Sequence, residues 1–173
     1  MDVKRPIILK RVLIITLILL NIGCDQISKK VVRNNIESHD YIPLIQDHFI
    51  LTNIENKGAM LGFGENFSPI LKVVLLQGLP LLVLLVLLHR TLTKKNMNKW
   101  MVLAFAFVIG GGLGNLIDRI ILGSVTDFFQ IRAGIFKTGI FNVADMAVTF
   151  GVILILLLNF SRTKKNDIAT DDA

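Results

Sequence analysis

The sequence has few of the residues that build metal, redox or phosphate sites. Its single cysteine, Cys24, excludes an internal disulfide, a thiolate zinc cluster and a Cys-x-x-Cys redox centre. Three histidines are present, and none stands in a zinc-binding spacing such as His-Glu-x-x-His. The glycine-rich stretch "GGGLGN" lacks the Lys-Ser/Thr ending of a phosphate loop, and its Gly110 and Gly114 are typical of a helix-packing seam. We therefore expect a protein with no metal and no cofactor.

Charged residues are also scarce, and long apolar stretches take their place. Only 18% of the 173 residues are charged, whereas 53% are hydrophobic, which is too apolar for a soluble domain of this length. Four stretches approach the roughly 20 apolar residues that a bilayer-spanning helix needs. They cover approximately residues 7–26, 70–88, 100–117 and 143–160. The sequence thus predicts an all-α integral membrane protein with four transmembrane helices, in one domain over residues 1–165.

The net charge of +6 does not indicate nucleic-acid binding, because the basic residues lie beside the apolar stretches. They form three groups: Lys4, Arg5, Lys10 and Arg11; His89, Arg90, Lys94, Lys95 and Lys99; and Arg162, Lys164 and Lys165. Four crossings place all three groups on one side, which the positive-inside rule makes cytoplasmic. We expect both termini in the cytoplasm, a disordered cytoplasmic tail at 166–173, membrane lipids as neighbours and no nucleic-acid partner.

Two connections remain for the outer side, residues 27–69 and 118–142. Both contain β-forming residues interrupted by polar residues and glycines, which favours short strands over a further span. We expect a small β-containing cap on the outer membrane face.

The start of the chain imitates a lipoprotein signal peptide, since Cys24 follows a basic segment and an apolar run. Asn21, however, stands where a lipobox has leucine, and three further spans do not fit a cleaved signal. We interpret Cys24 as a small buried residue near the membrane interface.

Asparagine and aspartate recur at the outer ends of the third and fourth predicted spans. Asn115 and Asp118 are three residues apart, as are Asn142 and Asp145, so each pair shares a helical face. The third span runs outward from the cytoplasm and the fourth runs back, so we expect the two Asn-x-x-Asp faces to lie at the same depth, near the outer membrane surface.

Asp25, at the end of the first span, and Asp127, in the loop, belong to the same layer. Such residues also serve as ordinary helix caps, and Asn142 fits an N-cap. Asp145 favours function more strongly, because an ionisable side chain at membrane depth is costly.

Three interpretations of this layer are open from the residues alone. Two neighbouring carboxylates can share one proton, so that one activates a water and the other protonates a scissile carbonyl. A proton-coupled transporter or channel component is the second, although Gln77 is almost the only polar residue near a midplane. A non-catalytic assembly factor is the third. The spacing does not establish which two acids meet.

Five short blocks resemble those of lipoprotein signal peptidase (signal peptidase II), a bacterial family of membrane aspartyl proteases. In chain order they are "DQISK" at 25–29, "NKGAM" at 56–60, "GNLIDR" at 114–119, "VTDF" at 125–128 and "FNVAD" at 141–145. Two departures, Met60 for alanine and Thr126 for valine, preserve approximate size. They bear on substrate fit rather than on chemistry.

The resemblance implies a catalytic dyad of Asp127 and Asp145. It further implies that eight residues bind substrate or support the dyad: Asp25, Lys29, Asn56, Gly58, Asn115, Asp118, Arg119 and Asn142. The implied activity is removal of the signal peptide from diacylglyceryl-modified prolipoproteins, with cleavage just before the lipidated cysteine. The implied location is the bacterial inner membrane, with the active site at the outer leaflet. We expect a monomer whose partners are these lipid-modified substrates.

Overall fold

The computed structural model describes residues 4–46 and 48–171. The helices are α1 (Lys4–Asn35), α2 (Pro69–Lys72), α3 (Leu79–Thr93), α4 (Lys99–Ile121) and α5 (Val143–Asp171), with a 3-10 turn at Met60–Gly62 and a π-helical turn at Val73–Gly78. The strands are β1 (Ile42–Ile45), β2 (Phe49–Asn56), β3 (Val125–Ala133) and β4 (Phe136–Lys137). The protein is therefore mostly helical with a small sheet, which confirms the predicted class at that level.

Helix α4 lies at the centre of the bundle and packs against α1, α3 and α5. Glycines permit these close approaches, because a Cβ atom at Gly110 would lie 2.6 Å from Cβ of Asn21, and one at Gly114 would lie 2.6 Å from Oδ2 of Asp25. The predicted glycine seam is thus confirmed, and its partner is α1. Gly111 permits a similar close approach to α5, because a Cβ atom there would clash with the backbone oxygen of Ala144.

Three helical segments among the described residues are long and apolar enough to cross a membrane: Pro69–Thr93, Lys99–Ile121 and Val143–Phe160. Helix α1, which contains the first predicted span, is not one of them. Its apolar run lies between Arg11 and Asp25 and is the shortest of the four. The fourth crossing stays a prediction.

The second span is not a regular α-helix. Pro80 has no backbone N–H, so it cannot bond the carbonyl of Leu76 in the α-helical pattern. The preceding turn, Val73–Gly78, is wider and has π-helical bonding. The helix continues through the proline, as is common in membrane helices.

The sheet is antiparallel throughout, in the order β1-β2-β3-β4. In the central pair, Ile54 is opposite Asp127 and Glu55 is opposite Thr126. The sheet therefore joins the connection after the first predicted span to the connection after the third. Strand β3 begins directly after α4, which places its first residues at the end of the bundle.

Two helices are longer than the sequence analysis predicted. Helix α1 extends to Asn35, into the region 27–69 that we expected to be loop, because Lys29 and Val32 continue its buried face. Helix α5 extends to Asp171, beyond the predicted end of the span at residue 160, and the disordered tail from residue 166 stays a prediction. That stretch contains no proline or glycine to end the helix. Residues 172–173 lie outside the described residues.

The expectation that Cys24 is buried is also wrong. Cys24 is exposed, since the packed face of α1 passes through Ile14, Ile18, Asp25 and Lys29 instead.

Candidate active site

Asp127 lies near the start of β3 and is only 4% exposed. Two side-chain amides donate hydrogen bonds to its carboxylate. Asn56 Nδ2 lies 2.9 Å from Oδ2, and Asn142 Nδ2 lies 2.6 Å from Oδ1. Asn56 comes from the end of β2, the neighbouring strand, so the sheet itself brings this pair together.

Asp145 lies in the first turn of α5, where Asn142 precedes the helix as its cap. The Asp145 backbone N–H donates to Asn142 Oδ1 at 3.0 Å, and the Asn142 backbone N–H donates to Asp145 Oδ2 at 3.1 Å. This reciprocal pattern is a capping box. Asn115 of α4 supplies a further donor, with its Nδ2 2.8 Å from Asp145 Oδ1. Asn142 thus contacts both acids, through its side chain on one and its backbone on the other.

Lys29 forms a buried ionic cluster beside this pair. Its Nζ lies 2.8 Å from Asp25 Oδ2 and 2.9 Å from Asp118 Oδ2, and all three side chains are buried. Nζ also donates to Asn115 Oδ1 at 2.8 Å, which orients the Asn115 amide so that its nitrogen faces Asp145.

Asp25 and Asp118 also take part in contacts that tie the helices together. The second oxygen of Asp25, Oδ1, accepts a bond from the backbone N–H of Ala144 at 2.9 Å. The amide of Gln26 lies 3.2 Å from Asp25 Oδ2 and 3.0 Å from Asp118 Oδ1. These bonds link α1, α4 and the start of α5.

A tight loop after β2 closes the site on the side of Asn56. The Gly58 backbone N–H donates to Asn56 Oδ1 at 2.9 Å, while Arg119 donates from a guanidinium nitrogen to the Gly58 carbonyl at 3.1 Å. A Cβ atom at Gly58 would lie 2.6 Å from the Gly62 carbonyl oxygen, so only glycine fits there. Asn56 is therefore held by its own loop while it donates to Asp127.

Burial dominates the electrostatics of Asp127 and raises the pKa of its carboxyl group to about 6. This value is a net result, in which the charge of Asp145 also raises the pKa, whereas the hydrogen bonds from Asn56 and Asn142 and the charge of Lys29 lower it. A carboxyl group in this range changes its protonation state close to neutral pH. It is therefore suited to acid and base catalysis.

All ten residues selected from the sequence lie in one continuous network of hydrogen bonds and ion pairs. Asp127 is linked through Asn56 and Gly58 to Arg119, and through Asn142 to Asp145. Asp145 is linked in turn through Asn115 to the Lys29 cluster, which completes the set. Among the described residues, no group of His, Cys, Asp and Glu is arranged to hold a metal ion.

The sequence analysis missed several members of this network. Gln26 lies inside the first block but was not selected, although it contacts two of the acids. Arg33, four residues after Lys29 on the same helical face, lies 3.9 Å from Asp118 Oδ1, and this spacing is a signal that would have found it. Glu55 and Ser124 had no recognisable signal, because their roles depend on strand pairing.

Comparison with known proteins gives consistent matches over most of the chain. The family described as signal peptidase (SPase) II matches residues 17–161. The chain is 38% identical over 145 residues to the lipoprotein signal peptidase of Clostridioides difficile, covering 84% of this chain and 93% of that protein. It is 36% identical over 139 residues to the lipoprotein signal peptidase of Moorella thermoacetica, covering 80% and 87%.

A solved structure is similar as well. It is described as a bacterial membrane enzyme structure obtained by the in meso method at 2.3 Å resolution. The TM-score is 0.78 with 27% sequence identity, over 88% of this chain and 90% of the other. Together with the family match over residues 17–161, this shows that the chain belongs to the signal peptidase II family.

Proposed function

We propose that this protein is a membrane aspartic endopeptidase that removes the signal peptide from diacylglyceryl-modified prolipoproteins, with Asp127 and Asp145 as its catalytic dyad. Membership of the signal peptidase II family supports the reaction and the class of substrate. The observation that carries the residue assignment is that Asn142 contacts both carboxylates. This shared partner supports a dyad in which both acids act on one water molecule.

The partners of the two acids also support this assignment. Neutral amides donate to both, and the ion pairs of the described residues fall on Asp25 and Asp118 instead. A carboxylate paired with a cation is stabilised in its charged form, whereas a carboxyl group bonded to amides can also take up a proton. Two such acids can carry one proton between them.

In the reaction, the ionised acid takes a proton from a water molecule, whose oxygen forms a bond to the scissile carbonyl carbon. The protonated acid gives its proton to the carbonyl oxygen, so the dyad remains at one proton. When the tetrahedral intermediate collapses, the C–N bond breaks and the leaving nitrogen takes up the proton that the dyad carries. A hydroxyl group of the intermediate gives its own proton to the other acid, so the dyad again holds one proton. Asp127 and Asp145 thus exchange the roles of acid and base during each turnover.

The surrounding residues orient the dyad and bind the peptide. Asn56, Asn115 and Asn142 fix the carboxylate planes through their side-chain amides. Arg119 holds the Gly58 loop beside Asn56, which places a guanidinium group where a substrate carbonyl can accept a hydrogen bond.

The membrane arrangement belongs to the same proposal. A diacylglyceryl group is buried in the bilayer, so the peptide bond next to the modified cysteine lies close to the membrane surface. We place the dyad at the outer leaflet of the bacterial inner membrane, with four crossings and both termini in the cytoplasm. The basic groups beside the apolar segments support this orientation. The protein acts as a monomer on one lipid-modified substrate at a time.

Cleavage of a purified, diacylglyceryl-modified prolipoprotein in detergent micelles or vesicles tests the function. Asp127→Asn and Asp145→Asn are compared with Asp40→Asn, a matched change at an exposed aspartate. We expect each dyad variant to lose cleavage by roughly a thousandfold or more and Asp40→Asn to keep it. Mass spectrometry of the product is expected to show the lipid-modified cysteine as its first residue.

The same experiment separates the alternatives. A transporter or an assembly factor would leave the precursor uncut by the wild-type protein. Cleavage that persists in both Asp127→Asn and Asp145→Asn would contradict the dyad, even if the wild type is a peptidase.

A further inference from the structure

A second polar cluster lies on the face of the β2–β3 pair opposite the dyad. Arg33, from the last turn of α1, donates to Thr126 Oγ1 at 2.7 Å. The Thr126 hydroxyl donates in turn to Glu55 Oε1 at 2.7 Å, and the Ser124 hydroxyl donates to Glu55 Oε2 at 2.5 Å. One helix and two strands are therefore joined by side chains whose hydrogen bonds go to neither Asp127 nor Asp145.

Thr126 is the centre of this cluster. It is completely buried, and its hydroxyl group both accepts and donates a charge-assisted hydrogen bond. Arg33 approaches Asp118 as well, at 3.9 Å, so the cluster is also anchored to α4. Removal of the hydroxyl would leave the guanidinium of Arg33 and the carboxylate of Glu55 without the group that connects them.

The cluster lies next to Asp127, because Thr126 is the preceding residue on β3. Adjacent strand residues point to opposite faces, so Thr126 is held from one face while Asp127 is presented on the other. Glu55 is the strand partner of Thr126, and the next residue, Asn56, donates to Asp127. The Thr126 carbonyl also lies 3.4 Å from the Asn142 amide nitrogen, the donor to Asp127.

Resting on the proposed function, we infer that Arg33, Thr126 and Glu55 are positioning residues for Asp127 in this chain. Their hydrogen bonds fix the strand pair against α1, and this sets the distances from Asp127 to its two amide donors. None of the three needs to contact the substrate. A small displacement of Asp127 misaligns the reacting atoms and slows the chemical step, whereas substrate binding elsewhere on the protein is unaffected.

The test compares Thr126→Val, which keeps the shape and removes the hydroxyl, with Thr126→Ser, which keeps the hydroxyl. We expect Thr126→Val to lower kcat roughly fivefold, the size of one hydrogen bond, with KM unchanged. Thr126→Ser is expected to retain the wild-type kcat. Thr52→Val is the matched control, because Thr52 is also buried on β2 but makes none of these contacts.

Arg33→Met provides a second variant at a partly exposed site, where folding is less at risk. Its loss of kcat should match that of Thr126→Val, and the double variant should be no slower than the slower single variant. Such non-additivity is expected when two residues act through one hydrogen bond.

Two results would overturn the inference: a wild-type kcat in folded Thr126→Val or Arg33→Met, or an equal loss in Thr126→Ser and Thr126→Val. Wild-type and Asp127→Asn activities, measured alongside, show whether the proposed function itself holds. An inactive Asp127→Asn with a fully active Thr126→Val would reject only the positioning role.

Discussion

The protein holds four aspartates at one end of its helical bundle, and it holds them in two different ways. Asp25 and Asp118 share Lys29, with nitrogen–oxygen distances of 2.8 and 2.9 Å in a completely buried cluster. Asp127 and Asp145, a few bonds away through Asn115 and Asn142, receive hydrogen bonds from neutral amides.

Under the proposed function, this difference separates acids that stabilise the fold from acids that carry out the reaction. A buried ion pair keeps its charges, since either partner alone would be costly to bury. An amide donor tolerates both states of a carboxyl group, which the function of a dyad requires. We therefore expect the aspartates that pair with Lys29 to stabilise the fold, and the aspartates that accept hydrogen bonds from amides to exchange protons.

The largest effect is expected when the same substitution is made in both pairs. Asp127→Asn should reduce kcat/KM by roughly a thousandfold or more while the protein remains folded. Asp118→Asn should lower the thermal unfolding temperature in detergent because it removes one partner of Lys29, yet leave the folded fraction able to cleave. Cleavage assays and thermal unfolding of both variants measure this.

The proposed difference between the two pairs of aspartates is contradicted if Asp118→Asn is fully folded and as inactive as Asp127→Asn. It is also contradicted if Asp127→Asn unfolds at a lower temperature than Asp118→Asn.

The next largest effect is expected for the shared cation. Lys29→Met leaves two buried carboxylates unpaired, so the free energy of unfolding should fall by about 3–5 kcal/mol. Lys30→Met is the matched control, because Lys30 is exposed on the neighbouring position of α1. Equal yield and equal unfolding temperature for the two variants would show that the Lys29 cluster does not stabilise the fold.

The sequence predicted the helices and the layer of acids well because both depend on local patterns. Apolar runs predict the three helices that are long and apolar enough to cross a membrane, and the Asn-x-x-Asp spacing predicts the layer in which Asn115 contacts Asp145. The role of Asn142 as a cap was also visible from its position before an apolar run.

The cluster around Thr126 was not predictable in this way. It depends on the register that places Glu55 opposite Thr126 and on the extension of α1 to Asn35, which brings Arg33 to the strands. Both are tertiary features with no periodic signal in the chain. The sequence indicates that Thr126, a residue of about the size of valine, bears on substrate fit, whereas we propose that its hydroxyl group positions Asp127 and so affects the chemical step.

The raised pKa of Asp127 predicts a pH-dependent stability that its asparagine variant lacks. With a pKa of about 6 against an ordinary value of 3.8, the native state binds a proton over a range where the unfolded chain has lost it. The stability from this group is present below about pH 4 and is lost as the pH rises through 6, by up to about 3 kcal/mol.

The measurement is the difference in unfolding free energy between the wild type and Asp127→Asn from pH 4 to 7.5, since the other titrating groups are common to both proteins. This difference should move in favour of the variant as the pH rises. A constant difference would mean that Asp127 titrates alike in the folded and unfolded protein. Asp40→Asn, at an exposed aspartate, checks that the loss of a carboxylate has no such general effect.

The smallest effect divides the two tasks of Asn142, which caps α5 and also donates to Asp127. Serine caps helices about as well as asparagine but has no amide to reach Asp127, so Asn142→Ser should keep most of the stability and lose roughly tenfold in kcat. Asn142→Ala should lose the same activity and, in addition, about 1 kcal/mol of unfolding free energy. If serine restored kcat as well as stability, the donor to Asp127 would be dispensable, and the two pairs of acids would differ in charge alone.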